Sequence, residues 1–254
     1  MRKLIVPLLG ILLFITCKKH DPETKIEVCH KDQKEGTSHT ITINANELLA
    51  HLAHGDLVGK CPAATTTICD QIWMVKNLDV DHYRNGDPIP QVTDPAAWAA
   101  LTTGAWCYSY NDPAFGAIYG KLYNWYAVND PRGLAPVGWH IPSNSEWETL
   151  VNCLGGEYVA GGKLKEIGTT HWLDPNIEAT NETGFTALPG NIRLNNGEFH
   201  QPFPGQIGDW WTSSEYNFDS FFYASHKFMY NFSGSVQNGA DDKGYGFSVR
   251  CVRD

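Results

Sequence analysis

The stretch Gly138-Trp139-His140-Ile141-Pro142-Ser143-Asn144-Ser145-Glu146-Trp147 is answered far downstream by Gly244-Tyr245-Gly246-Phe247-Ser248-Val249-Arg250-Cys251-Val252-Arg253-Asp254. In the first, Gly138 and Pro142 mark a turn. Ser143 and Glu146 stand three apart, the spacing of a capping box, in which each side chain accepts the other's backbone N–H. Trp147, Leu150, Val151 and Leu154 then form one apolar helical face, and Gly155-Gly156 ends it. The second stretch alternates. Phe247, Val249 and Cys251 share one face and Ser248 and Arg250 the other, the period of a strand. A capped helix and a closing strand thus bracket one aromatic-rich domain.

Working outward, Ile72-Trp73-Met74-Val75 reads as a strand and Asn85-Gly86 as a hairpin turn. Asp94 and Pro95 suit a helix start, with Trp98 and Leu101 buried along it. Ala105 to Tyr110 reads as a strand edge or aromatic loop. Tyr119, Leu122, Tyr123 and Tyr126 read as a core-packing stripe. Lys163 to Glu166 can start a short element, and Thr170 to Gly184 is a long loop. Asp209–Glu215, Ser220–Phe228 and Tyr245–Val252 are antiparallel strand candidates. Asp241-Asp242 reads as a solvated pair in a Gly-rich turn. Nine Trp, eleven Tyr and eleven Phe supply a core, and 24 Gly indicate a rigid fold with long loops rather than disorder.

The N-terminus has the form of an export signal. Arg2 and Lys3 precede an apolar run from Leu4 to Ile15, too short for the roughly 20 residues a spanning helix needs. The run ends at Phe14-Ile15-Thr16-Cys17, which resembles the lipobox of bacterial lipoproteins. That resemblance implies a signal peptide over residues 1–16, lipidation of Cys17 and a membrane anchor, with an ordinary cleaved signal as the alternative. Phe14 departs from the usual Leu there. Several acyl chains, at about 0.8 kcal/mol per buried methylene, hold a protein firmly on a membrane. Loss of Arg2 and Lys3 takes the net charge from -9 to -11. So acidic a chain repels phosphate backbones, and no nucleic-acid partner is expected.

Residues 17–25 read as a tether. A small Cys/His module follows over residues 26–62. It has a strand at His39-Thr40-Ile41-Thr42-Ile43, then a short helix capped by Asn44 with Glu47 and stopped near Gly55. Two readings stay open. Cys29 and Cys61 form a disulfide, a staple that so small a unit needs. Alternatively, some of Cys29, His30, His51, His54, Asp56 and Cys61 hold zinc or a similar ion. The i, i+3 pair His51 and His54 suits a metal, although the cysteine spacing matches no zinc finger. Both coexist if His30, His51, His54 and Asp56 alone ligate. Residues 63–67 read as a linker.

Six ordered blocks carry a more specific resemblance: Trp73-Met74-Val75-Lys76-Asn77-Leu78, Tyr119 to Val128, Gly138 to Ser143, Gly184-Phe185-Thr186-Ala187-Leu188-Pro189-Gly190, Trp211-Thr212-Ser213-Ser214-Glu215 and Gly246 to Val252. Over residues 68–254 they resemble the major paralogous domain first named from Fibrobacter succinogenes. The resemblance implies a surface or secreted protein of Bacteroidetes and their relatives. It implies an α+β, C-type lectin-like fold: twisted antiparallel sheets, few helices and long loops. Ala135 stands where that family often has Cys before Pro-x-Gly-Trp. By the same comparison Cys153 pairs with Cys251, since lectin-type folds tie a helix to the final strand, leaving Cys69 with Cys107. The four cysteines alone allow three pairings, and free buried thiols are the alternative.

Catalysis is not expected. The formylglycine-generating enzymes of that fold group use a C-terminal cysteine pair, and here Cys251 stands alone in that region. No Gly-x-Ser-x-Gly or His-Glu-x-x-His motif is present. Trp106, Tyr108, Tyr110, Trp210 and Trp211 are candidates for stacking on sugar rings, against the alternative that they are core. Calcium-dependent sugar sites of lectins use a Glu-Pro-Asn type loop and a Trp-Asn-Asp strand; the nearest text is Asp174-Pro175-Asn176 with Asn181 and Glu182 later, and no Trp-Asn-Asp is present. The expectation is a lipid-anchored envelope protein, on the outer membrane, that binds a glycan or another surface protein.

Overall fold

The computed structural model describes residues 24–31, 38–58, 61, 63–200, 205–218 and 221–254. The signal segment, Cys17 and the tether up to residue 23 lie outside the described residues. The chain divides into two units between residues 62 and 63. Among the described residues no helix is long and apolar enough to cross a membrane.

The smaller unit is a three-stranded antiparallel sheet, β1 (Lys25–Lys31), β2 (Ser38–Asn44) and β3 (Leu57–Val58), with β1 central. The expected tether therefore ends one residue earlier, because Lys25 already pairs with Asn44. Helix α1 (Leu48–Ala53) follows a 3-10 turn, and the Asn44 N–H donates to Glu47 Oε2 at 2.8 Å, as the cap spacing requires. Cys29 and Cys61 are disulfide-bonded.

In the larger unit β4 (Thr65–Ile68) and β5 (Gln71–Met74) form a hairpin, so the expected linker is already strand from Thr65. Helix α2 (Pro95–Ala99) starts at Asp94, whose carboxylate accepts the Ala97 N–H. Next come β6 (Trp106–Cys107), α3 (Pro113–Tyr119), β7 (Leu122–Asn124) and α4 (Trp125–Val128). The supposed aromatic stripe is thus shared among a helix end, a strand and a second helix. Three of its four members are still buried. Strand β8 (Trp139–His140), α5 (Asn144–Cys153) and α6 (Glu157–Leu164) follow, so Lys163 ends a helix rather than starting an element. The last part is β9 (Ile207–Phe218), β10 (Phe221–Tyr230), β11 (Gln237–Asp242), β12 (Gly246–Phe247) and β13 (Val252–Arg253). The sheets are ordered β4-β5-β13-β8, β12-β7-β6 and β11-β10-β9, all antiparallel. This is the α+β class the sequence predicts, with few helices, small sheets and long loops.

The two defining stretches meet. Val252 pairs with His140 and Arg253 with Trp139. Glu146 completes the capping box with Ser143 and also bonds His140 Nε2 at 2.7 Å, while His140 Nδ1 meets Asp254 at 2.8 Å. The closing segment departs from a half-buried strand. It is split into β12 and β13, and Ser248 and Arg250 are as buried as Phe247, Val249 and Cys251. Arg250 donates to the carbonyls of Met74, Val75 and Phe185 at 3.0, 2.6 and 2.6 Å and to Asn77 Oδ1. Its guanidinium lies over the Phe185 ring, 4.4 Å from the centroid. These bonds give carbonyls at the end of β5 and in the loops beyond it a buried donor.

The expected pairings Cys153–Cys251 and Cys69–Cys107 do not form. Cys69, in the β4–β5 turn, bonds Cys153 at the end of α5. Cys107 and Cys251 are free and buried. Cys251 packs inward with Phe247 and Val249, whereas Cys153 ends α5 on the solvent side, beside the hairpin turn.

Replacing Arg250 by Met is expected to lower the unfolding free energy by about 3 kcal/mol or more, since several buried acceptors lose their donor at once. Arg250→Lys should recover little, because an ammonium cannot present the guanidinium fork. Urea unfolding measures both, and a loss under about 1 kcal/mol for Arg250→Met would refute the assignment.

Candidate functional site

Two clusters of ionisable side chains stand out, one in each unit. In the small unit, His30 from β1, His51 from α1 and Asp56 from the turn after α1 converge. Both imidazole Nδ1 atoms address the same carboxylate oxygen, Asp56 Oδ2, at 2.8 and 2.7 Å. The other oxygen accepts the Lys31 N–H at 2.9 Å. Asp56 is buried and the two histidines half-buried. The bond from His30, the Lys31 amide and the bond from His51 hold the Asp56 carboxyl well below the usual carboxylate range. His54 is exposed and is not one of the three gathered donors, although its ring centroid lies 6.5 Å from that of His51, so the structure assembles three of the four residues expected to ligate. The disulfide removes Cys29 and Cys61 from any ligand set.

In the large unit the sheet β11-β10-β9 forms one wall of a cleft of about 390 Å³. Residues two apart on a strand share a face, so His226, Phe228 and Tyr230 of β10 look the same way. Asp209 of β9 lies opposite Phe228, and Gly239 of β11 lies opposite His226. A register irregularity between Ala224 and His226 sets this phase, the usual effect of a bulge on side-chain aim. Gly239 has a plain steric role, because a Cβ there would stand 2.0 Å from His226 Nε2.

His226 lies between two carboxylates, with Nε2 2.9 Å from Asp241 Oδ2 and Nδ1 3.0 Å from Asp209 Oδ1. The second approach is an ion pair that misses hydrogen-bond alignment. Asp209, fully buried, therefore has no hydrogen-bond donor on either oxygen among the described residues. Burial alone would lower the His226 pKa, but the two flanking carboxylates, Asp209 and Asp241, outweigh it and hold it at about 9. Burial raises that of Asp209, against the pull of His226. Tyr230 and Tyr245 line the cleft half-buried, and Phe247 sits 4.7 Å from the His226 ring centroid. A second hollow of about 360 Å³, lined by Asn144, Glu148, Tyr216 and Ser225 among others, has no buried ionisable side chain.

The family model described as the Fibrobacter succinogenes major domain matches residues 66–253. The chain belongs to this family. No curated protein and no solved structure matches it. The Fibrobacter succinogenes major domain thus begins at the β4–β5 hairpin, two residues before the expected boundary.

Within the Fibrobacter succinogenes major domain, the aromatics expected to stack on a ligand are mostly core. Trp106, Trp210 and Trp211 are buried, and their indole N–H groups donate to Ile89 O, Asn77 Oδ1 and Tyr123 O. Tyr110 is half-buried between Phe115 and Phe199, and Tyr108 packs its edge on Trp106. None of the five lines the cleft. Asn176, in the loop compared with calcium sites, is buried and donates to Glu166 O and Gly168 O. Asp241, expected as a solvated turn residue, lies on β11 and pairs with His226. Sequence reasoning passed over His226 and Asp209. The available signal was the alternation of His226, Phe228 and Tyr230 on a strand opposite an acidic residue.

His226 should stay protonated at pH 7 and lose its proton near pH 9, visible in a proton–nitrogen NMR titration. Its folded value lies above the unfolded one of about 6.5. The stability it contributes is therefore full below about pH 6.5 and lost as pH rises through about 9. An imidazole that titrates at its ordinary value would contradict the pairing.

Proposed function

We propose that this is a non-catalytic binding protein of the bacterial cell envelope, anchored through lipid on Cys17, whose family domain takes a carbohydrate in the His226 cleft. One observation carries the ligand class. Asp209 is buried and lines an open cleft; His226 faces one carboxylate oxygen as an ion partner at 3.0 Å, and among the described residues the other, Oδ2, has no hydrogen-bond donor, which is costly unless a ligand or water supplies one. Sugar hydroxyls are such donors, and Asp241 and the Tyr230 and Tyr245 hydroxyls extend the polar rim. The rings of Phe228, Tyr230 and Tyr245 offer the apolar surface that the C–H face of a sugar requires. The lectin-like character of the family resemblance supports the same reading, as analogy.

The thiols speak for binding over oxidative catalysis. Burial pushes Cys107 up to about 11 and Cys251 to about 12, so neither forms a thiolate near neutrality. A second reading, docking of another surface protein, has its own support: Leu49, Leu57 and Val58 of the small unit are solvent-exposed.

A defined oligosaccharide array probed with the whole mature chain tests the ligand class. Binding is expected, with at least a tenfold loss in both Asp241→Asn and Tyr245→Ala. A folded protein with no array signal, or variants that bind like the parent, would remove the carbohydrate reading. Labelled palmitate should enter the parent but not Cys17→Ser; equal labelling of both would remove the anchor.

A further inference from the structure

We infer that His30, His51 and Asp56 of the small unit hold a divalent transition-metal ion of the zinc type. Among the described residues they are the one group of at least three His, Cys, Asp or Glu donors gathered this closely, all within 4.8 Å of one another. Two nitrogens and one carboxylate oxygen are the donor mixture that suits zinc, copper, nickel or cobalt rather than calcium or magnesium. The orientation is that of ligands. Lys31 N–H holds Oδ1, leaving Oδ2 facing both Nδ1 atoms. A backbone donor on the second carboxylate oxygen is the kind of outer contact that aims a ligating group.

The geometry needs only a small adjustment. A tetrahedral ion with bonds of about 2.1 Å spaces its donors about 3.4 Å apart. The imidazoles now 2.7 and 2.8 Å from Oδ2 must withdraw by about 0.6 Å. Their side chains are 29% and 22% exposed, which permits that movement and leaves a fourth position reachable by water. On binding, each Nδ1 gives its lone pair to the metal with the ring proton held on Nε2; a neutral ring that carried its proton on Nδ1 changes tautomer, and a protonated ring releases one proton to solvent, so protons compete with the metal.

The small unit also has reason to use an ion. Among the described residues its buried apolar side chains are Val28, Cys29 and Ile43, while Leu49, Leu57 and Val58 face solvent. So small a core calls for staples, and Cys29–Cys61 is one. An ion on His30, His51 and Asp56 ties β1, α1 and the following turn together, a second cross-link independent of the first.

The test uses the tag-free mature chain with its disulfides intact, titrated with Zn²⁺ by calorimetry and counted by elemental analysis. One equivalent is expected to bind, and Co²⁺ in its place should give the visible d–d bands of a low-coordinate site. His51→Ala and Asp56→Asn should each weaken binding at least tenfold. His82→Ala, in the other unit, should leave it unchanged. Because a variant can fail to fold, the parent supplies a second readout: Zn²⁺ should shift the imidazole nitrogen resonances of His30 and His51 and not those of His82. Binding well below one equivalent, undiminished binding by His51→Ala, or static His30 and His51 resonances would each overturn the proposal.

Discussion

The large unit depends on buried cations that bind backbone carbonyls of its loops. Arg250 gathers Met74, Val75 and Phe185; Arg193 gathers Gly197, Val92 and Thr93; Lys165 gathers Ile177, Tyr230 and Ser233. All three side chains are almost wholly buried. A fold with short strands and long loops leaves many carbonyls without a ladder partner, and each buried one is costly if left unpaired. One guanidinium satisfies several. Desolvation of the charge is offset by charge-assisted bonds and by aromatic faces, Phe185 for Arg250 and Trp98 for Arg193.

Tryptophan does the same work with a neutral donor. Trp98, Trp106, Trp125, Trp172 and Trp211 each send an indole N–H to a carbonyl distant in sequence while their rings fill the core. This accounts for the misplacement of the expected sugar platform. An indole is large enough to be worth most inside, provided its N–H finds a partner. The rings left for a ligand are those on the outer face of β10 and beside β12, where the sheet turns Phe228, Tyr230 and Tyr245 toward the cleft. Gly239 leaves room for the His226 ring, and His226 in turn compensates two carboxylates that would otherwise repel each other.

The small unit solves a different problem. Among the described residues its sheet buries few apolar groups, and covalent and ionic cross-links add to so small a core. Asp56 is the centre of that arrangement: it reaches β1 through His30 and Lys31 and α1 through His51.

The order of local elements was legible in the residues. The Ser143–Glu146 box, the Asn44–Glu47 cap, the Asp94-Pro95 helix start and the Cys29–Cys61 staple all formed as their spacing predicts. These features act between near neighbours, or need only suitable residue types within one small unit. The tertiary structure alone decided that Cys69 bonds Cys153, that both faces of the closing segment are buried, and that His226, Asp209 and Asp241 meet. Alternation in a strand tells which side chains share a face but not whether a second layer covers the other face. That depends on which distant loops fold over it, as Phe185 and Met74 do over Arg250, and no local period records such contacts.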